Sequence, residues 1–127
     1  MDRVLIILSG VFGFLGVGLG AFGAHGLRRS LEGLEDAARR LEWWETAARY
    51  HLMHALAIAF CAWLASRGEG LGARAAGICF AIGIVVFSGS LYTMTLTGMR
   101  WLGAVTPIGG LFLMAGWACV IWAALRP

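Results

Sequence analysis

Polar residues in this chain come in bunches, separated by long apolar runs. No charged residue lies between Val4 and Ala24, Tyr50 and Ser66, Ala75 and Met99, or Trp101 and Leu125. A helix needs roughly 20 apolar residues to cross the hydrocarbon of a bilayer. Three runs reach that length; the second is slightly short and extends back through Ala47 and Ala48. The pattern predicts transmembrane helices at about 4–24, 47–65, 75–97 and 101–125. The soluble alternative would leave four nearly uncharged helices without a polar face to meet water.

His25 to Arg49 is the one long polar stretch, and its pattern is helical. Leu27, Leu31, Leu34, Ala38 and Leu41 recur at four- and three-residue steps, with Arg29, Glu32, Asp36, Arg39 and Arg40 opposite. Glu35–Arg39 and Asp36–Arg40 are spaced as stabilising i, i+4 pairs, and Ser30 is placed to cap a helix N-terminus. The expectation is an amphipathic helix over about 28–45, lying on the membrane surface. Trp43 and Trp44 follow where an interfacial aromatic belt is expected. Arg67, Gly68, Glu69, Gly70, Gly72 and Arg74 predict a short flexible connection, and Gly98–Arg100 a tight turn. Pro107 falls near the start of the last span, where a helix tolerates proline best.

The first span carries Gly10, Gly13, Gly16, Gly18, Gly20 and Gly23. Gly16 and Gly20 form a GxxxG pair, which lets helix backbones approach closely in lipid. Arg3 before an apolar run, with small residues near Ala24, has the outline of a signal peptide. The run is too long for an h-region of about 7–15 residues, so a retained helix is expected.

Composition sharpens the class. Of the 127 residues 60% are hydrophobic and 13% charged, against about 25% charged in soluble domains. The formal charge of +3 comes from ten basic residues, all arginine, against seven acids. These arginines sit singly or in pairs at span ends, where they meet headgroups. No basic tract suits a nucleic-acid partner. Cys61, Cys79 and Cys119 occupy three different spans without a metal-ligand spacing.

Four spans put both termini on one side. Most polar residues within the spans fall toward the other side: His25, Tyr50, His51, His54, Ser88, Ser90, Tyr92 and Thr106. Polar side chains in lipid usually point into the bundle, so a polar cluster is expected near that face. Three imidazoles could bind a metal or haem, although no carboxylate or thiolate stands beside them at ligand spacing. The plainer expectation is hydrogen bonding between helices. Ser88 and Ser90 have no adjacent base in sequence to make a nucleophile. No acid lies within any span, which argues against a proton or cation pathway.

Four motifs in order carry a resemblance. Gly20-Ala21-Phe22-Gly23-Ala24-His25-Gly26-Leu27, Tyr50-His51-Leu52-Met53-His54-Ala55-Leu56-Ala57, Phe87-Ser88-Gly89-Ser90-Leu91-Tyr92, and Thr106-Pro107-Ile108-Gly109-Gly110 with Ala115-Gly116-Trp117 stand in sequence along the chain. Together they resemble the domain-of-unknown-function 423 family, which includes transmembrane protein 256-like small membrane proteins. The resemblance implies a polytopic protein of the cell membrane, the inner membrane in bacteria, with no established activity. It therefore supplies no catalytic residue and specifies no cofactor.

The expected architecture is all-α: a four-transmembrane-helix bundle forming a single membrane domain, with an interfacial amphipathic helix between the first two spans. The expected role is non-enzymatic. It is a structural or accessory component in the lipid bilayer, packing with itself as a homo-oligomer or with a larger membrane complex. The alternative is a ligand-binding protein (metal, haem, quinone or lipid) built on the histidine cluster. Six arginines on the side of the polar stretch against four on the terminal side favour termini outside.

Overall fold

The computed structural model describes residues 2–68 and 70–126. Among them are four long helices and no strand. We label them α1 (Arg3–Ser30), α2 (Ala37–Ala65), α3 (Gly70–Thr97) and α4 (Thr106–Leu125). Alpha-helical winding gives way to one π turn in α1, over Gly23–Leu27, and one in α3, over Ile84–Ser88. A 3₁₀ segment, Arg100–Ala104, leads into α4.

Three helices are long and apolar enough to cross a membrane: α1, α3, and α4 taken with its 3₁₀ lead-in. The helix α2 is not among them. Its apolar residues are diluted by Arg49, Tyr50, His51 and His54.

The expected surface helix is not a separate element. Its first residues, 28–30, are the last turn of α1, and its last are the first turns of α2. Between them the chain turns over residues 31–36, with Gly33 in the left-handed region at φ +88°, where L side chains are disfavoured. Leu27 and Leu31 are buried, but Leu34 and Ala38 are exposed, so the apolar stripe breaks at the turn. Ser30 caps nothing at a helix start; its hydroxyl donates to the Gly26 carbonyl one turn back, 3.0 Å away. The connection before α3 is also shorter than expected. Gly70, Gly72 and Arg74 already belong to the helix, and Glu69 lies outside the described residues.

Packing follows chain order: α1 lies along α2, α2 along α3, and α3 along α4. The pair α2–α3 is therefore the centre. The end holding the chain termini has an apolar core of Leu5, Ile58, Cys61, Phe80, Ile84 and Leu113. Asp2 caps α1 and pairs with Arg74 at 2.6 Å, tying the starts of α1 and α3 together. At the other end Gly98, φ +72°, closes α3 in a left-handed C-cap, and Pro107 occupies the first turn of α4.

Arg40 clasps that far end. Its Nε donates to Asp36 at 3.0 Å and its Nη1 to the Thr95 carbonyl at 3.3 Å, while the Thr95 hydroxyl shares its one hydrogen between the Arg40 carbonyl at 3.0 Å and the Leu91 carbonyl at 2.9 Å. A cation placed there also meets the negative end of α3. Of the two expected pairs, Asp36–Arg40 forms, whereas Glu35–Arg39 is not among the ion pairs of the described residues.

The hydrogen bond from Arg40 holds the Asp36 carboxyl below its ordinary value of 3.8. A depressed carboxylate contributes stability that is complete above its ordinary value and is lost as pH falls through the folded one. Thermal stability should therefore drop below about pH 4. Asp36→Asn should flatten that drop, as read by melting in detergent at stepped pH. An unchanged acid profile would show that the clasp does not depend on this carboxylate.

Candidate functional site

Seven of the eight polar residues picked out by sequence lie along the central helices and the neighbouring start of α4. The eighth, His25, does not join them. It sits exposed on the π turn of α1, beside Arg28, Arg29 and Glu32. Gly23, Leu27 and Leu31 follow each other toward the core at four-residue steps, and His25, two residues from each of the first two, falls on the opposite face of the helix. Among the described residues, no group of three or more His, Cys, Asp or Glu is placed to hold a metal ion.

His54 is 3% exposed. Its Nδ1 lies 2.7 Å from the Tyr50 carbonyl. A carbonyl only accepts, so Nδ1 carries the hydrogen and Nε2 is the acceptor. The Trp117 indole N–H of α4 donates to that Nε2 at 3.3 Å. Both ring nitrogens are thereby satisfied, and the Tyr50 ring stacks on the imidazole with centroids 5.9 Å apart.

His51, also 3% exposed, is one turn away. Its Nδ1 bonds the Tyr92 hydroxyl at 3.1 Å, and the edge of Phe12 meets its ring at 5.7 Å. Its Nε2 is the one buried side-chain nitrogen or oxygen without a hydrogen-bond partner among the described residues. Whichever tautomer His51 adopts, one polar atom is left facing α1.

The hydroxyls join helices. Ser88, 1% exposed, donates to the Ala47 carbonyl of α2 at 2.8 Å. The π turn of α3 ends at Ser88. Ser90 and Thr106 meet at 2.7 Å, linking α3 to α4. Each also lies within reach of a carbonyl of its own segment, Phe87 for Ser90 and Leu102 for Thr106. Two hydroxyl hydrogens cannot fill all three of these contacts at once, so one is left open.

Several participants escaped the sequence reading. Trp44, assigned there to an interfacial belt, is 3% exposed. Its indole N–H donates to the Leu19 carbonyl of α1 at 2.7 Å, and its ring lies 4.5 Å from that of Tyr92. The Ser9 hydroxyl donates to the Ala55 carbonyl of α2 at 2.9 Å. Thr95 and Arg40 form the clasp described above. A polar group at a core-facing helical position was the available signal for Ser9 and Thr95.

The glycine pair divides. A Cβ on Gly16 would come 2.7 Å from Cδ2 of Leu52, so Gly16 serves the contact between α1 and α2. A Cβ on Gly20 would meet nothing within 4 Å.

A groove of about 410 Å³ opens beside His54, lined by Tyr50, Phe87, Pro107, Met114 and Trp117 among others. Its walls are mostly apolar and aromatic, and its imidazole is already engaged by Trp117.

A family model described as "Protein of unknown function (DUF423)" matches residues 19–110. The UPF0382 membrane protein YwdK of Bacillus subtilis is 41% identical over 125 residues, covering 98% of this chain and 98% of the relative. The UPF0382 membrane protein SERP0230 of Staphylococcus epidermidis is 40% identical, covering 98% and 97%. The UPF0382 inner membrane protein YgdD of Escherichia coli is 36% identical, covering 98% and 92%. No solved structure matches the chain.

Proposed function

The chain belongs to the DUF423 family of proteins of unknown function, and from that premise we propose that it is a structural or accessory component of its membrane, packing with itself or a larger membrane complex. It is a multi-pass membrane protein, in a bacterium one of the inner membrane, as the Escherichia coli relative is named. In this reading all four helices cross the bilayer. Helix α2 enters because its polar side chains bond its neighbours instead of lipid. The polar residues between Arg28 and Glu45 lie at the water boundary.

One observation carries the accessory role. The buried polar side chains of the cluster are bonded to one another or to backbone across helices: His51 to Tyr92, Ser88 to Ala47, Ser90 to Thr106, and Trp117 to His54. Bonds of this kind average about 0.6 kcal/mol each in membranes and fix which helix meets which. The outer surface is apolar, with Phe14 81% and Met114 69% exposed, as lipid or a membrane partner requires.

Extraction in polymer nanodiscs without detergent, followed by mass measurement, tests this. The expected result is a homo-oligomer or a partner protein in fixed ratio. A monomer surrounded only by lipid would overturn the accessory role.

The groove beside His54 favours a second reading, a binding site for a quinone or lipid chain. Gently purified protein would then carry an extractable quinone or lipid, lost on Trp117→Ala. Absence of both would remove this reading.

A further inference from the structure

The exposed end of α1 holds a feature that the bundle does not use. Around its π turn, His25, Arg28, Arg29 and Glu32 line a concave space of about 770 Å³, floored by Ala24 and Gly26. Leu27, fully buried, and Leu31 pack with Trp44, while Arg28 and Arg29 between them turn outward.

Charge and depth then identify what fits. Among the described residues the arginines in ion pairs are Arg40 and Arg74. Arg28 and Arg29 are in none, and Glu32 is the only acid in the concavity. Helix α1 has 28 residues and so is about 42 Å long, against roughly 30 Å of hydrocarbon. Its charge-free run ends at Ala24. His25 therefore sits at the hydrocarbon edge. Arg28 and Arg29 stand about 4–6 Å farther along the axis, in the layer where lipid phosphates lie.

The geometry points to a seat for the headgroup phosphate of an anionic phospholipid, formed by His25, Arg28 and Arg29. Two guanidinium groups can bond phosphate oxygens in the paired fashion arginine favours, and the imidazole supplies a third polar contact. The lipid's acyl chains descend along the exposed face of α1. This inference requires that α1 cross the bilayer and is independent of the accessory role.

The test uses the full-length protein in neutral detergent, titrated with phosphatidylglycerol or phosphatidylcholine, with bound lipid counted by native mass spectrometry. Phosphatidylglycerol should bind about tenfold or more tightly than phosphatidylcholine. Arg28→Gln with Arg29→Gln should erase that preference, because both side chains are exposed and unpaired and the fold does not need them. Arg39→Gln with Arg49→Gln, two exposed arginines of the same polar region, should leave it intact. Glu32→Gln should strengthen anionic binding.

Equal binding of the two lipids would overturn the seat. So would equal losses in the two double variants, which would indicate diffuse attraction. Displacement of the lipid by inorganic phosphate at similar concentration would indicate a soluble phosphate ligand and overturn the lipid assignment.

Discussion

Gly109→Ala should destabilise the protein by about 1–3 kcal/mol or more, the range for overpacking a core. That corresponds to a melting midpoint lower by about 5–15 °C. The reason is the backbone it faces. A Cβ on Gly109 would overlap the Phe87 backbone nitrogen and come 2.6 Å from the Phe87 Cα. A flexible side chain could rotate away, but a helix backbone cannot, so α3 and α4 would have to separate. Phe87 belongs to the π turn of α3, and Gly109 is where α4 accommodates it. Gly10→Ala is the matched control. A Cβ there meets nothing within 4 Å, and alanine is the better helix former by about 1 kcal/mol. Its midpoint should hold or rise. Both variants can be heated in detergent and the monodisperse fraction measured by size exclusion. Equal midpoints for the two would refute the close approach of α4 to the π turn.

The contrast between those glycines shows where sequence reasoning reaches its limit. Apolar run length identified α1, α3 and α4, because lipid demands about 20 apolar residues whatever their neighbours, and α2, which is not among the helices apolar enough to cross, only in its second half. The helix ends at Ala65, Thr97 and Leu125 were legible for the same reason. Which glycine meets a neighbour was not legible. Gly16 packs on Leu52 and Gly20 does not, yet both have the same spacing signal.

The polar cluster was legible in its membership and not in its pairings. Ser88, Ser90, Tyr92 and Thr106 lie toward one end, as their positions along the spans require. Their partners depend on helix rotation, and the π turns change that rotation partway along α1 and α3. His25 was grouped with His51 and His54 by its depth along the first span, whereas its place on the helix, opposite Gly23 and Leu27, leaves it exposed. A 3.6-residue period extended an apolar stripe through Leu34, where Gly33 reverses the chain.

Trp44 offers the second large effect. Trp44→Ala should cost about 3–5 kcal/mol, as large-to-small changes do at buried aromatic positions. The indole packs with Leu27 and Leu31, its ring centroid lies 5.5 Å from Phe22 and 4.5 Å from Tyr92, and its Nε1 would lie 2.5 Å from a Cβ on Gly23. It thus holds the end of α1 on α2 and braces the tyrosine that bonds His51. Its N–H donates to the Leu19 carbonyl, which also lies within reach of the Gly23 amide at the start of the π turn. A side-chain donor sharing a helix carbonyl is a physical cause for local departure from α winding. Trp44→Phe keeps most of the packing and removes that donor. It should fall between wild type and alanine in stability and relax the π turn toward α winding. Trp43→Ala should do much less, because Trp43 is only half-buried. Hydrogen exchange at the amides of residues 23–31 reads the local effect apart from the melting midpoint. If Trp44→Ala and Trp43→Ala lost stability alike, Trp44 would be the interfacial anchor that its sequence position first suggested. Exchange that rises only for Trp44→Ala identifies it as the pin between the first two helices.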